Sequence, residues 1–477
     1  MRNFGLPRKL QILAYTSILP VLQIGCGSGV LQSRTPAPTI QNATTTQLRI
    51  GDAPADKVFS FAVTIGNAIT LVPAGDGAAS TITLNANRLE LSHTAGKMQP
   101  LALLSLQPGS YSAAEISIQN PSVTYAKILL TPAPVTLIDR VNGDDQNVRV
   151  NFNPPLVVGN EPVVLNIDVN LANTLVTDAS GNVSGTNFTE SSFVFGTHPV
   201  GPESQQQDND GEIETETGKV VAVSSNGFVL QTGQSGARLP FTVDGATTFP
   251  HGMALADLQD QIIKVEGFTR SSGTLFAQEI AALGDRNASQ VEGTITQLGS
   301  FNVPSLLEMA AQDGTGVGIG SAQIGQDFLL DTSALPDSSY AVDFGACDAS
   351  PFSPATTNFP FDSSHLKAGQ RVEVITESGV VSGQPITPVQ IRLQQQAISG
   401  TVSAFTAMPG GIASFDLLLS PDSYLALLSG QTLVHVFQQP RTDNHAGTLA
   451  NGTMVRVRGP LFWTGMQFNM VARRITP

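Results

Sequence analysis

A chain of 477 residues is too long for one hydrophobic core, so two to four domains are expected. Only 13% of its residues are charged while Gly (45) and Pro (30) are plentiful, a mixture that favours short strands and tight turns over helices. The formal net charge of −14 argues against nucleic acid as a partner, because a binder of phosphate backbone needs a cationic face.

Residues 1–25 read as an export signal. Arg2, Arg8 and Lys9 supply the positive start, Leu10 to Leu22 an apolar run, and Gly25 precedes Cys26; the run is too short for a stable membrane anchor. The order Leu22-Gln23-Ile24-Gly25-Cys26 resembles a bacterial lipobox. That resemblance implies that the Cys26 thiol receives a diacylglyceryl group and becomes the mature amino terminus, with the membrane as partner through the lipid. The place three before the cysteine, usually Leu, is Gln23, so either Leu22 serves one place early or ordinary signal peptidase cleaves the signal. Cys26 and Cys347 are the only cysteines, and a disulfide between them would leave no lipid. With Cys26 acylated, Cys347 reads as a small buried residue rather than a nucleophile. Gly27, Ser28 and Gly29 follow, without the Asp in second place that often retains lipoproteins on the inner membrane, so an outer-membrane or cell-surface destination is expected.

Residues 26–46 form a polar tether, and period-two alternation then marks a β-sandwich over 47–197. Val58, Phe59, Phe61, Val63 and Ile65, then Ile69, Leu71, Ile82, Leu84, Leu89 and Leu91, fall in short runs broken by Gly, Asn and Asp. Further strands are predicted at Ser112 to Ile118, Ser122 to Leu130, Val148 to Phe152 and Val163 to Leu171. Asp52-Ala53-Pro54 before an alternating strand, and Leu106-Gln107-Pro108-Gly109-Ser110-Tyr111 leading into Ile116 and Ile118, resemble the bacterial family called domain of unknown function 4382. The resemblance implies a sandwich of transthyretin or immunoglobulin kind, with Gly109 opening a turn and Tyr111 packing over the sheet.

Residues 198–217 read as a solvated acidic linker. The sharper alternative is a calcium loop through Asp208, Asp210 and Glu212, with Gly211 for the bend. The remainder repeats itself as three modules, 218–284, 290–396 and 397–477. Gly218, Gly293 and Gly400 each open a strand. Each is answered by a second strand, at Ile263-Lys264-Val265, Val372-Glu373-Val374 and Val455-Arg456-Val457, and by a closing strand with Ile280, Ile391 or Ile475. The second module carries an insertion at about Pro304 to Asp331 with a glycine-rich loop, Gly314 to Gly320, and the third has a stretch at Ser420 to Gly430 with room for a turn or two of helix. These modules resemble the family called domain of unknown function 5666, which implies small barrels of the oligonucleotide/oligosaccharide-binding type. The fold class expected is therefore all-β: an N-terminal β-sandwich followed by three small β-barrel-like modules.

Chemistry-bearing motifs are missing. G-x-S-x-G, H-E-x-x-H, C-x-x-C and G-x-x-x-x-G-K-[ST] do not occur. His93, His198, His251, His365, His435 and His445 never form a close pair and read as surface or turn residues, so no metal and no cofactor are expected. Trp463, the one tryptophan, sits on a candidate hairpin with Phe462 and Phe468, where it either stacks on a sugar ring or closes the end of a barrel. The reading is a non-enzymatic envelope lipoprotein with an interaction or structural role, its partner an envelope protein or a glycan. A carbohydrate-binding surface protein is the alternative, ahead of an envelope hydrolase.

Overall fold

In the strand Gln146–Val158, Val148, Val150, Leu156 and Val158 are buried while most of their neighbours are exposed, because successive side chains of a strand point to opposite faces. The computed structural model describes residues 43–477 apart from 54, 55, 85–87, 95, 132, 208, 234, 251, 320–323, 344, 346, 353 and 382. The predicted signal and Cys26 lie outside the described residues.

A sandwich is present. One sheet runs Phe193–Pro199, Val163–Asn170, Thr44–Ala53, Met98–Leu106, with the middle pair parallel. The facing sheet runs Ser80–Thr83, Val58–Pro73, Gly109–Thr131, Ala133–Asn142, and Gln146–Val158 also pairs with Gly109–Thr131. Leu48, Ile50, Phe61, Ile69, Ile116 and Leu165 are sealed between the sheets. Where the sequence predicts two strands, Gly109–Thr131 is one of 23 residues. Asn120, at φ 46°, sits at a register shift opposite Ala62 to Thr64, so the strand bends without losing its partner. Tyr111 is buried, and its hydroxyl donates to Gln107 O at 2.7 Å.

The three downstream units share one register. Gly218 lies opposite Ile263, Gly293 opposite Val372 and Gly400 opposite Val455. Val265, Val374 and Val457 then lie opposite Ile280, Ile391 and Ile475. Glycine opens each unit because the neighbouring strand passes close: a Cβ on Gly293 would stand 2.2 Å from Ala310 O, and one on Gly218 2.3 Å from Gln231 O.

Modules 1 and 3 are closed five-stranded barrels, sealed by parallel pairing of Phe241 with Leu275 and of Val434 with Phe468. The middle module is the same plan opened. Its third strand, Asp327–Asp331, reaches the closing segment only through the bridge Leu330–Ile386, and Tyr340–Val342 takes the edge of Gln390–Leu393, giving a six-stranded sheet. The insertion responsible is 332–370, not Pro304 to Asp331, because Leu306–Gly316 and Asp327–Asp331 are the module's second and third strands. Gly314 and Gly316, read as loop, belong to that second strand; a Cβ on Gly316 would meet Ala288 O at 2.4 Å. The stretch Ser420 to Gly430 holds the helix Tyr424–Ser429, capped by the Ser423 side chain and ended by Gly430 at φ 73°.

The linker expectation is corrected in its second half. From Glu212 onward the acidic stretch is the first strand of module 1, Glu212–Ser224, and Glu216 is 3% exposed. The units are also not strung in series. Phe59 of the sandwich packs with Ala310 and Tyr424, and Cys347, Phe352 and Phe359 of the insertion pack with Phe462 and Val471, so Asn42–Pro477 is one compact unit.

Gly293→Val will destabilise the protein by about 3 kcal/mol in denaturant titrations, because overpacking against a backbone carbonyl leaves no flexible atom to yield. Gly109→Ala, where a Cβ meets nothing within 4 Å, will leave the midpoint unchanged.

Candidate functional site: a buried charged centre

Charge concentrates where the sandwich and the three modules meet. In the first strand of module 1 a register shift between Ile213 and Glu216 sends Ile213 into the barrel core and leaves Glu214 against module 3. There the Glu214 carboxylate pairs with Arg458 and lies 3.7 Å from Arg473 Nε. Glu212 meets Arg473 at 3.3 Å and Arg474 at 3.8 Å. Burial alone would raise Glu214, but the guanidinium groups of Arg458, Arg474 and Arg473 outweigh it and hold the carboxyl at about 2.

Among the described residues, Glu216 has no such cation in contact. Gln99 Nε2 donates to its Oε2 at 3.2 Å, and burial pushes it up to about 7 against the pull of Lys97. Behind Gln99 stands His93, whose Nε2 lies 3.1 Å from Gln99 Oε1 and whose Nδ1 lies 3.1 Å from Glu90 Oε2. Glu90 also accepts the Phe61 and His93 backbone N–H groups at 2.7 and 2.8 Å. His93 is thus 5% exposed and part of a sandwich-to-module relay, not the surface or turn residue the sequence suggests.

Module 2 supplies the third side. Arg371 pairs with Glu292 at 2.5 Å and donates to His93 O at 3.0 Å and Gln395 O at 3.2 Å, joining module 2, the sandwich and the first strand of module 3. Burial raises Glu292, yet Arg371 together with Lys97, His93 and Lys264 outweighs it and the carboxyl stays below its ordinary range. Glu373 is raised by burial and accepts from Gln290 at 3.1 Å and Gln394 at 3.4 Å. Lys264 of module 1 pairs with Asp343, and burial lowers the lysine.

The cavity among these groups, bordered by Glu216, Glu292, Arg371 and Lys97, has about 30 Å³ open to the centre of a water-sized sphere. That is room for about two waters. A wider cleft of about 340 Å³ lies between Lys97, Asp168, Asp443, His445, Arg456 and Arg474. Its acid Asp443 is shared by Arg474 at 3.0 Å and His445 at 2.9 Å.

Of the residues singled out by sequence, Glu212 and His93 belong to this centre, His445 borders the cleft, and Trp463 and Cys347 stand elsewhere. Trp463 is half-buried against the barrel core of module 3, edge-on to Phe468 with ring centroids 5.2 Å apart, and Lys367 Nζ lies 4.8 Å over its ring. Cys347 is buried with its thiol pushed up to about 12 by burial. His435 and His445 pair with Asp416 at 2.7 Å and Asp443 at 2.9 Å. His251 and Asp208 lie outside the described residues; Asp210 accepts the Gln207 N–H at 2.5 Å, and Glu212 turns to the arginines rather than toward a calcium loop. The sequence reading places no site at this centre. Its signal was present: Glu212, Glu214 and Glu216 at alternate places just before a strand-opening glycine, with Arg456, Arg458, Arg473 and Arg474 in the last module.

Residues 217–281, the first closed barrel, match the family described as a domain of unknown function, DUF5666. Comparison with curated proteins finds no match. Among solved structures, a deletion mutant of the single-stranded DNA binding protein from Thermus aquaticus aligns at 15% identity over 40% of this chain and 94% of that one, with a TM-score of 0.14. A multidomain protein with nucleic acid binding domains from Streptococcus pneumoniae aligns at 10% identity over 54% of this chain and 72% of that one, with a TM-score of 0.11. Scores this low carry no argument about ligand or partner.

Two measurements test the centre. Folded Glu216 keeps its proton up to about 7 whereas the unfolded chain releases it near 4.5, so this group makes stability fall as pH rises between those values. Glu216→Gln will therefore stabilise the protein by about 3 kcal/mol at pH 8 and hardly at all at pH 4.5, as read from denaturant midpoints. Glu214 works in the opposite sense: its contribution is complete above 4.5 and is lost as pH falls toward 2. Arg371→Ala will cost about 3–5 kcal/mol by leaving Glu292 buried without its cation, and adding Glu292→Gln to an Arg371→Met chain will recover most of the loss.

Proposed function

We propose that this chain is a lipid-tethered protein of the bacterial envelope, without catalytic activity, that serves as an extracytoplasmic interaction or structural element at the outer membrane or cell surface. The observation that carries the reading is the use of charge at the centre. Glu212, Glu214 and Glu292 are held by arginines, Glu216 by a glutamine amide, and Glu373 by two glutamine amides with Arg392 3.8 Å away, and the cavity beside Glu216 and Glu292 has space for about two waters. Perturbed carboxyls of this kind often mark active sites, but here they fasten modules together, and the cavity at Glu216 and Glu292 is too small for a substrate.

The family resemblances extend the reading. The shared register of Gly218, Gly293 and Gly400 supports placing modules 2 and 3 with module 1 in one family. The buried Tyr111 with its Gln107 contact supports the resemblance of the sandwich to domain of unknown function 4382. No helix among the described residues is long and apolar enough to cross a membrane, and the proposed attachment is the lipid on Cys26. Against the glycan alternative stands Lys367, whose ammonium lies over the Trp463 face that a sugar ring would need.

Mass spectrometry of the mature protein will find an amino terminus at Cys26 carrying acyl chains, and the protein will partition into the detergent phase of a Triton X-114 extract. Cys26→Ser will move it to the aqueous phase. A mature terminus at another residue with no acyl group ends the tether reading, and turnover of a glycan or peptide substrate ends the non-enzymatic one.

A further inference from the structure

The first hairpin of each module can be compared across the three repeats. In module 1 its turn is Ser225-Asn226, between Glu212–Ser224 and Gly227–Thr232, and in module 3 it is Pro409-Gly410-Gly411, between Gln395–Met408 and Ile412–Leu418. Both turns are small or polar. In module 2 the corresponding turn, 299–305, carries Phe301 at 74% exposure, flanked by Leu298 at 38% and Val303 at 41%. From 293 to 307 the chain has no charged residue.

This tip is built rather than loose. Gly299, Phe301 and Asn302 all adopt left-handed φ, at 69°, 53° and 61°, a conformation that phenylalanine rarely takes and that must be held by its surroundings. The holding contacts are visible. Ser300 is fully buried and its hydroxyl donates to Glu308 at 2.8 Å, Val303 N–H donates to Ser300 O at 3.0 Å, and Thr332 N–H and hydroxyl both donate to Ser305 O at 3.0 Å. The loop therefore stays in a strained shape whose result is a ring in water, where burial would be the favourable state.

We propose that the Phe301 turn is a bilayer-contacting element that seats the side of module 2 in the lipid headgroup region. The proposal rests on the tether reading for its setting. Three apolar side chains on a convex tip fall far short of the roughly 800 Å² per partner that a stable protein interface buries. A single rigid ring, with the nearest carboxylate in the turn, Glu308, held by the Ser300 hydroxyl, needs no such area to enter a headgroup layer. The tether permits it: the seventeen steps from Cys26 to Ala43 can span at most about 60 Å, longer than the radius of gyration of about 22 Å expected for a compact chain of this size. The lipid on Cys26 supplies attachment and Phe301 supplies orientation.

The test uses the full mature chain carrying Phe301→Trp, with the wild-type chain, whose one tryptophan is Trp463, as control. Both are mixed with phosphatidylcholine vesicles with and without brominated acyl chains, and Cys26 acylation is measured on the same preparations. The expected result is a blue shift and loss of most of the added emission in brominated vesicles, with Trp463 emission largely retained. An acylated chain that floats with the vesicles while its added tryptophan stays unquenched overturns the proposal and leaves the tether reading standing. Quenching in a chain found unacylated supports the turn and sinks the tether. Emission that shifts only when envelope proteins are added overturns the bilayer contact in favour of a protein partner. Phe301→Gly will melt at or above the wild-type temperature, because glycine accepts φ 53° without strain; a melting temperature lowered by several degrees shows Phe301 to be a packed structural residue and overturns the proposal.

Discussion

A carboxylate withdrawn from water needs a cation or several hydrogen bonds in return, and this requirement organises the molecule. Glu214 satisfies it with Arg458 and Arg473, which join the opening strand of the first module to the last two strands of the third. Arg49, Lys264, Arg371, Arg458, Arg473 and Arg474 are all buried, a quarter of the chain's 24 basic residues. A protein with few charges thus keeps a large share of its cations inside. The mutual attraction of such pairs is offset by desolvation, so they add less to stability than their number suggests, while loss of either partner leaves the other buried and unpaired.

The repeats show how one strand plan is adapted to that arrangement. Modules 1 and 3 close on themselves, whereas the 332–370 segment holds the middle barrel open. The opening has a use within the fold. Cys347, Phe352 and Phe359 of that segment pack on Phe462 and Val471 of module 3, and Asn469 Nδ2 donates to Asn358 O at 2.8 Å. What a closed barrel would keep as its own seam becomes an apolar contact with the next unit.

Much of this was legible in the amino-acid order, because period-two alternation reports which face of a strand is covered. The strand openings at Gly218, Gly293 and Gly400 and the partners Ile280, Ile391 and Ile475 were all readable, since close strand approach admits glycine and the inner face admits branched apolar residues. Alternation does not report what covers the outer face. Phe59 and Ser60 are both buried because other units lie over the sandwich, a fact held in no local window. The acidic run failed for the same reason: Glu212, Glu214 and Glu216 look solvated until the arginines, more than two hundred positions away, are brought alongside. Composition likewise marked Gly314 and Gly316 as loop, although tight packing against a neighbouring strand demands glycine as strictly as a turn does.

Arg474 donates to the carbonyl oxygen of Gly96 at 3.0 Å, across 378 positions. Because a polypeptide is made from its amino terminus, residue 96 is present long before residue 474, and contacts of such separation form last. Until the strands Met454–Trp463 and Phe468–Thr476 arrive, Glu212 and Glu214 lack the guanidinium groups of Arg458, Arg473 and Arg474 that hold their carboxylates in the folded protein. A polypeptide that has reached only the first barrel therefore differs from one that includes residues 458 to 474 at its very middle, where distant arginines complete the pairing of acids laid down more than two hundred residues earlier.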